Sequence, residues 1–311
     1  MYKLITAVLF FLFTITSAAQ AALEFGEMSV SELEQIYKYY GYDGERGYLM
    51  LDNYRYPPLL LKRLPTDFAA LKTIDEEKQH ALFIKILAPL AMTINQKIAD
   101  QRRLLEQINR DFTTNHELSK AQTAYVEKQA QTYDIFTRLQ GYQRYNLLLK
   151  ELLVRVDEIP PSFLIAAAAI ETDWGNSRLA AEGNALYRQL SWHTSQGLKP
   201  QDETTETDYR IKSYPTLYAA MEEFALKLNS HINFAHMRKF RKQLRLRNSP
   251  LQGTTFAYTL FGNSALKNYA GILEYTIAYY ELNIIDKSHL DDKMIVEQLP
   301  ANLSKHLRSK L

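Results

Sequence analysis

The stretch FLIAAAAI, Phe163 to Ile170, carries no charged or amide side chain. A helix of this composition is apolar on every side and has to lie inside a protein, with other elements packed around it. Its run of alanines lets those neighbours approach closely. The helix is predicted to begin at Ile159-Pro160-Pro161, where a proline's missing amide would have had no partner anyway, and to run to about Thr172. Gly175 then supplies a residue that tolerates positive φ at the C-terminus.

The rest of the chain supplies the surroundings. Thr73-Ile74-Asp75-Glu76 has the form of a capping box. After it, Phe83, Ile86, Leu87, Leu90, Ile94, Ile98, Leu105 and Ile108 recur at helical spacing over roughly seven turns. A second helix is predicted over Ala121 to Thr132. A third is predicted over Asp134 to Val156, with Phe136, Leu139, Tyr142, Leu147, Leu148 and Leu152 on one face. Ahead of these, residues 22–65 are rich in tyrosine and broken by Gly41, Gly44, Gly47 and Pro57-Pro58, which reads as short helices and loops. Beyond the buried helix, Asn184 to Ser213 has a Gly/Pro/Thr-rich centre between two short aromatic and branched runs, Leu186 to Trp192 and Tyr209 to Ser213. This is the pattern of a β-hairpin with a long polar tip. One helix is predicted over Thr216 to Arg245, with Leu217, Ala220, Met221, Phe224, Leu228 and Ile232 as its apolar stripe, and two more near Pro250 to Leu260 and Leu266 to Leu282. In the aromatic series Tyr258, Phe261, Tyr269, Tyr275, Tyr279 and Tyr280, the spacing places most members in the helix core, with Tyr269 held open as a cleft residue. The second half is therefore α+β with a small sheet.

Composition narrows the function. The 37 basic and 35 acidic side chains nearly cancel, so the global field gives no reason to expect nucleic acid as a partner. Residues 1–21 combine Lys3, an apolar run and a small-residue end at Ala19-Gln20-Ala21. That is the pattern of a secretory signal peptide, shorter than the ~20 apolar residues of a spanning helix. The chain has no cysteine, and an exported domain without disulfides must rest on its packed core, which suits the periplasm or cell envelope. The histidines show no zinc-type spacing; no metal or cofactor is expected.

One residue does not belong with its surroundings. Glu171 falls in the last turn of the apolar helix, where the helix dipole and the adjoining apolar surface both disfavour a carboxylate and raise its pKa. A carboxylic acid that holds its proton near neutrality can protonate a leaving glycosidic oxygen. An ordinary glutamate here would face solvent or pair with Arg178. The context favours chemistry instead: Trp174 and Asn176 follow directly, and the indole of Trp174 with the aromatic hairpin residues Tyr187, Trp192 and Tyr209 are the kind of ring faces on which sugars stack.

The stretch IPPSFLIAAAAIETDWGNSRLAAEGNALY resembles the signature of bacterial glucosaminidase-domain proteins. Their catalytic glutamate sits in an AxxExxWG context and is followed by an Asn-Leu-Phe-Gly-like strand. Glu171 and Trp174-Gly175 match the first element; Asn184-Ala185-Leu186-Tyr187 matches the second, except that Arg188-Gln189 follow where the pattern has glycine. YRIKSYPTLYAAMEEFALKL, with Tyr209, Arg210 and Tyr214, resembles a further strand and helix of the family, and the helical N-terminal half is similar to its Bax-type subgroup. The resemblance covers about Glu158 to Leu282. It implies a mainly α (α+β), lysozyme-like catalytic domain over residues 158–285 with a small β-hairpin lobe. A helical N-terminal region (22–157) would precede it and a tail (286–311) follow. It further implies hydrolysis of β-1,4 linkages in peptidoglycan on the N-acetylglucosamine side, with Glu171 as proton donor and Trp174, Asn184, Tyr187, Trp192, Tyr209 and Tyr269 as substrate-binding residues. The second catalytic group stays open among Glu203, Glu206, Tyr214 and the substrate's own N-acetyl group. A weakly catalytic wall-binding protein and a lytic transglycosylase are the competing readings.

The run RKFRKQLRLR, Arg238 to Arg247, places six cations at the end of a predicted helix. There they suit the dipole's negative pole as a solvated helix end; the sharper alternative is contact with anionic envelope surfaces.

Overall fold

A computed structural model describes residues 22–43, 55–192, 197–200, 208–260, 267–291 and 300–310. In chain order the first elements are β1 (Leu23–Phe25), α1 (Val30–Tyr39), β2 (Arg55–Tyr56), β3 (Leu59–Leu61), α2 (Leu71–Ile74), α3 (Glu76–Asn115), α4 (Lys120–Thr132) and α5 (Gly141–Arg155). They are followed by α6 (Pro161–Thr172), α7 (Arg178–Gly183), β4 (Leu190–Ser191), β5 (Arg210–Ile211), α8 (Leu217–Ser230), α9 (Ala235–Leu246), α10 (Gly253–Thr259) and α11 (Lys267–Tyr279). The chain closes with a 3-10 turn (Leu282–Lys287), β6 (His289–Leu290), α12 (Ala301–Ser304) and β7 (Leu307–Lys310). The fold is mainly α with three small sheets.

Helix α6 is the axis around which the rest packs. Every side chain from Phe163 to Ala169 is buried, and α3, α10, α11 and the 3-10 turn surround it. Its first turn would otherwise leave amides unpaired inside the protein. Asp286 meets this need from the 3-10 turn, accepting from the Ser162 amide at 2.9 Å, the Ser162 hydroxyl at 2.7 Å and the Gly253 amide at 2.9 Å. Alongside runs α3, whose predicted stripe from Phe83 to Ile108 is buried throughout. It is long and apolar enough to cross a membrane, but its apolar stretch is mostly covered by the protein itself. Pro89 stands inside α3 and cannot donate to the Lys85 carbonyl four residues back; the Tyr42 hydroxyl donates to that carbonyl instead, at 3.4 Å.

Several expectations are corrected. The cap of α3 is Asp75, which accepts from the Lys78 amide, while the Thr73 hydroxyl turns back to the Ala70 carbonyl. The third helix begins at Gly141 rather than Asp134. Both Asp134 and Gly141 have φ of 55°, and Arg144 ties the intervening strand down by bonding the Thr137 carbonyl while it clasps Glu127. Phe136, Leu139 and Tyr142 are consequently exposed, leaving Leu148 and Leu152 to bury the face. The single helix over Thr216 to Arg245 is two. His231 is extended, and Arg238 donates to the Leu228 and His231 carbonyls that the end of α8 leaves open; Ile232 drops out of the stripe into solvent. Tyr258, Tyr275 and Tyr279 lie on the surface, not in the core.

The N-terminal segment is more than short helices and loops. β1 pairs with β3 in parallel and with β7 antiparallel, while β2 pairs with β6, so strands near the two ends of the chain share sheets. The hairpin is present but short: Leu190 faces Ile211 and Ser191 faces Arg210, with an added bridge from Leu198 to Ile211. A helix not anticipated from the sequence, α7, leads into it.

The basic run is neither a solvated helix end nor a uniform cationic face. Arg238 and Arg241 are buried. Arg241 donates to the carbonyls of Val154, Arg155, Asp157 and Glu158, and to Asn229, while Arg245 pairs with Asp157 and Glu158. Only Lys239, Lys242 and Arg247 of the six cations are turned fully outward.

Candidate active site

The end of α6 is built by three consecutive residues in the left-handed region, Asp173, Trp174 and Gly175, at φ of 50°, 55° and 84°. At Gly175 a side chain would run into Leu64, Phe68 and Phe83, so glycine is required on two counts. The Thr172 hydroxyl donates to the Ala168 carbonyl and accepts from the Gly175 amide. Gln79 on α3 exchanges hydrogen bonds with Asn176 and so holds the turn against the core. Trp174 completes the anchor: its indole stacks on His80 at 4.1 Å and tilts against Tyr280 at 4.4 Å, and His80 and Tyr280 bond each other at 2.8 Å. The ring predicted to receive a sugar therefore has its partners inside the protein.

This geometry leaves Glu171 half-buried on the last turn of α6. Burial pushes its carboxyl above the ordinary value of 4.5, opposed by the charges of Arg188 and Lys227 and by a hydrogen bond from the Tyr269 hydroxyl on α11. Burial raises Tyr269 in turn, and the adjacent carboxylate raises it further, so the phenol remains protonated and donates. Of the site residues named from the sequence that fall among the described residues, Tyr269 is the one that acts on the Glu171 carboxyl.

The others fall into two groups. Tyr187 and Asn184 are buried supports: the Tyr187 hydroxyl donates to the Leu164 carbonyl at 3.2 Å and its ring lies flat on Phe224 at 4.0 Å. Asn184, at φ of 51°, ends α7 and donates to the Tyr214 carbonyl. Tyr214 is buried with them, its hydroxyl towards Glu223 and Lys212 above its ring. Trp192, by contrast, is 70% exposed and meets the edge of Tyr209 at 6.0 Å, which makes an aromatic lip on the hairpin. Glu203 and Glu206 lie outside the described residues. Two residues bearing on Glu171 were not singled out as site residues. Arg188 was visible only as a departure from a pattern. Lys227 is one exposed lysine on a helix, and no sequence signal separates it from the rest.

A half-buried acid at a helix end, beside a partly buried tyrosine and near an aromatic hairpin, is chemically suited to a glycosidase that works through a carboxylic acid. Comparison with known proteins places the chain in the same class. Residues 148–284 match the glucosaminidase family, described as mannosyl-glycoprotein endo-beta-N-acetylglucosaminidase. Over these residues, which include Glu171, Arg188, Lys227 and Tyr269, the chain is similar to the glucosaminidase-domain family. It is also similar to Protein bax of Escherichia coli strain K12, with 28% identity over 206 residues covering 65% of this chain and 68% of that protein. No solved structure matches it.

Proposed function

We propose that the chain is an exported peptidoglycan hydrolase, an endo-acting N-acetylglucosaminidase with Glu171 as general acid. The observation that carries this reading is the placement of Glu171, half-buried on the last turn of the apolar helix α6, where burial favours its protonated form. A proton delivered from Glu171 to the linking oxygen neutralises the leaving group as the bond to the anomeric carbon breaks. Beside burial, the largest influence, Glu171 is acted on by Arg188, Tyr269 and Lys227. A one-acid route suits these surroundings, in which the carbonyl oxygen of the substrate's own N-acetyl group attacks the anomeric carbon and water then opens the ring so formed, returning a proton to Glu171. Trp192 and Tyr209 at the hairpin lip are the sugar-stacking faces of this reading. The export assignment rests on the pattern of residues 1–21, and the family match supports a glycan as substrate.

The same one-acid arrangement serves a lytic transglycosylase, which closes an internal anhydro ring in place of adding water. Mass spectrometry of fragments released from purified sacculi tests the choice. Hydrolysis predicts reducing-end N-acetylglucosamine carrying one added water; anhydro ends would contradict it, and intact sacculi would leave a wall-binding protein.

A further inference from the structure

The flat stack of Tyr187 on Phe224, 4.0 Å apart and 11° from parallel, joins the approach to the hairpin to α8. It fixes what comes next on each side. Arg188 follows Tyr187 directly, and Lys227 is three residues beyond Phe224, on the same helical face. Both are exposed, and both place their charge on Glu171. Neither makes an ion pair or hydrogen bond among the described residues, whereas the cations around them are matched: Lys212 with Glu223, Arg178 with Glu182, Lys97 with Glu222. Arg188 is moreover held at φ of 43°, a backbone conformation in which glycine is the strain-free residue. A long charged side chain is thus kept where the backbone disfavours one.

Two cations without a partner among the described residues, placed beside a general acid, are counterproductive before substrate binds, because they favour the acid's ionised form. An anion seated between them cancels that effect when substrate is bound. We propose that Arg188 and Lys227 form an anion subsite that takes a carboxylate carried by the glycan strand next to the scissile linkage, so that the chain prefers muramic-acid-containing strands to neutral ones. The proposal rests on the reading of Glu171 as the acid. In a peptidoglycan strand the carboxylate comes either from the lactyl substituent, where no peptide is attached, or from the stem peptide.

The test is equilibrium binding in the Glu171→Gln background, which separates affinity from cleavage. Three probes of equal length are compared: strands stripped of peptide, peptide-bearing strands, and N-acetylchitooligosaccharide, which has no carboxylate. Adding Arg188→Gly, which suits the local backbone, or Lys227→Gln, at an exposed position, is expected to lower the affinity ratio of anionic over neutral probe about tenfold, the worth of a charge-assisted hydrogen bond. A drop confined to stripped strands assigns the carboxylate to the lactyl group, and one confined to peptide-bearing strands assigns it to the stem. Ratios that stay within about twofold of the parent for every anionic probe overturn the subsite. If Glu171→Gln alone leaves cleavage intact, the acid assignment fails, while the affinity ratios still report on the two cations.

Discussion

The Tyr269 phenol on α11 lies beside the Glu171 carboxyl on α6, and its hydrogen-bonding influence lowers the Glu171 pKa while the carboxylate raises that of the phenol. A protonated phenol donating to Glu171 favours the ionised acid, so burial and this influence pull Glu171 in opposite directions, and burial prevails. Tyr269→Phe removes one of three opposing influences, leaving Arg188 and Lys227, and should raise the Glu171 pKa further. The high-pH limb of the kcat profile is then expected to move upward, with kcat itself down about tenfold because the carboxyl is less well directed. An unchanged limb would mean that the bond does not form in solution.

Glu171 also works against the fold. A group whose folded pKa lies above its unfolded value of 4.5 contributes stability below that value and loses it as pH rises through the folded value. Glu171→Gln is therefore expected to melt above the wild type at neutral pH, with the difference vanishing in acid; thermal melts at the two pH values check it.

The buried Asp157 has the opposite sign. Burial pushes its carboxyl up, but Arg241, Arg245 and Arg102 together hold it below the ordinary 3.8. The stability it gives is present above 3.8 and lost as pH falls through its depressed value. Arg241→Met takes one of three cations from Asp157 and leaves the carbonyls of Val154, Arg155, Asp157 and Glu158 without that donor, so it should cost about 3 kcal/mol in urea unfolding. Lys239→Ala and Lys242→Ala, on the outward face, should stay within about 0.5 kcal/mol.

Glu203 and Glu206 discriminate the routes. If the substrate's N-acetyl group supplies the second catalytic function, Glu203→Gln and Glu206→Gln should each lower kcat by less than about tenfold. A loss of about 100-fold or more in either would assign that residue as base or nucleophile.

What the sequence made legible were the features with long periods or strong composition. The α3 stripe, the apolar α6, and Glu171 at its end follow from spacing and from the absence of polar residues between Phe163 and Ile170. Features decided by a single distant partner were not legible. Strands of two to four residues such as β1, β2, β6 and β7 show no usable alternation, and their pairings join opposite ends of the chain. The break between α8 and α9 depends on Arg238 reaching back to open carbonyls. Arg238 and Arg241 read as surface cations because nothing local announces the carbonyls of residues 154–158. The indole of Trp174 reads as a sugar platform because His80 and Tyr280, the rings that occupy it, lie far away in sequence.

The central claim is that Glu171 delivers the proton, and the rate at which purified sacculi are solubilised tests it most directly. Wild type and Glu171→Gln are compared at equal concentration, after melts show that both are folded. The account predicts a fall of about 1,000-fold, in the range that loss of a general acid gives. A variant that keeps more than about a tenth of the wild-type rate would contradict it.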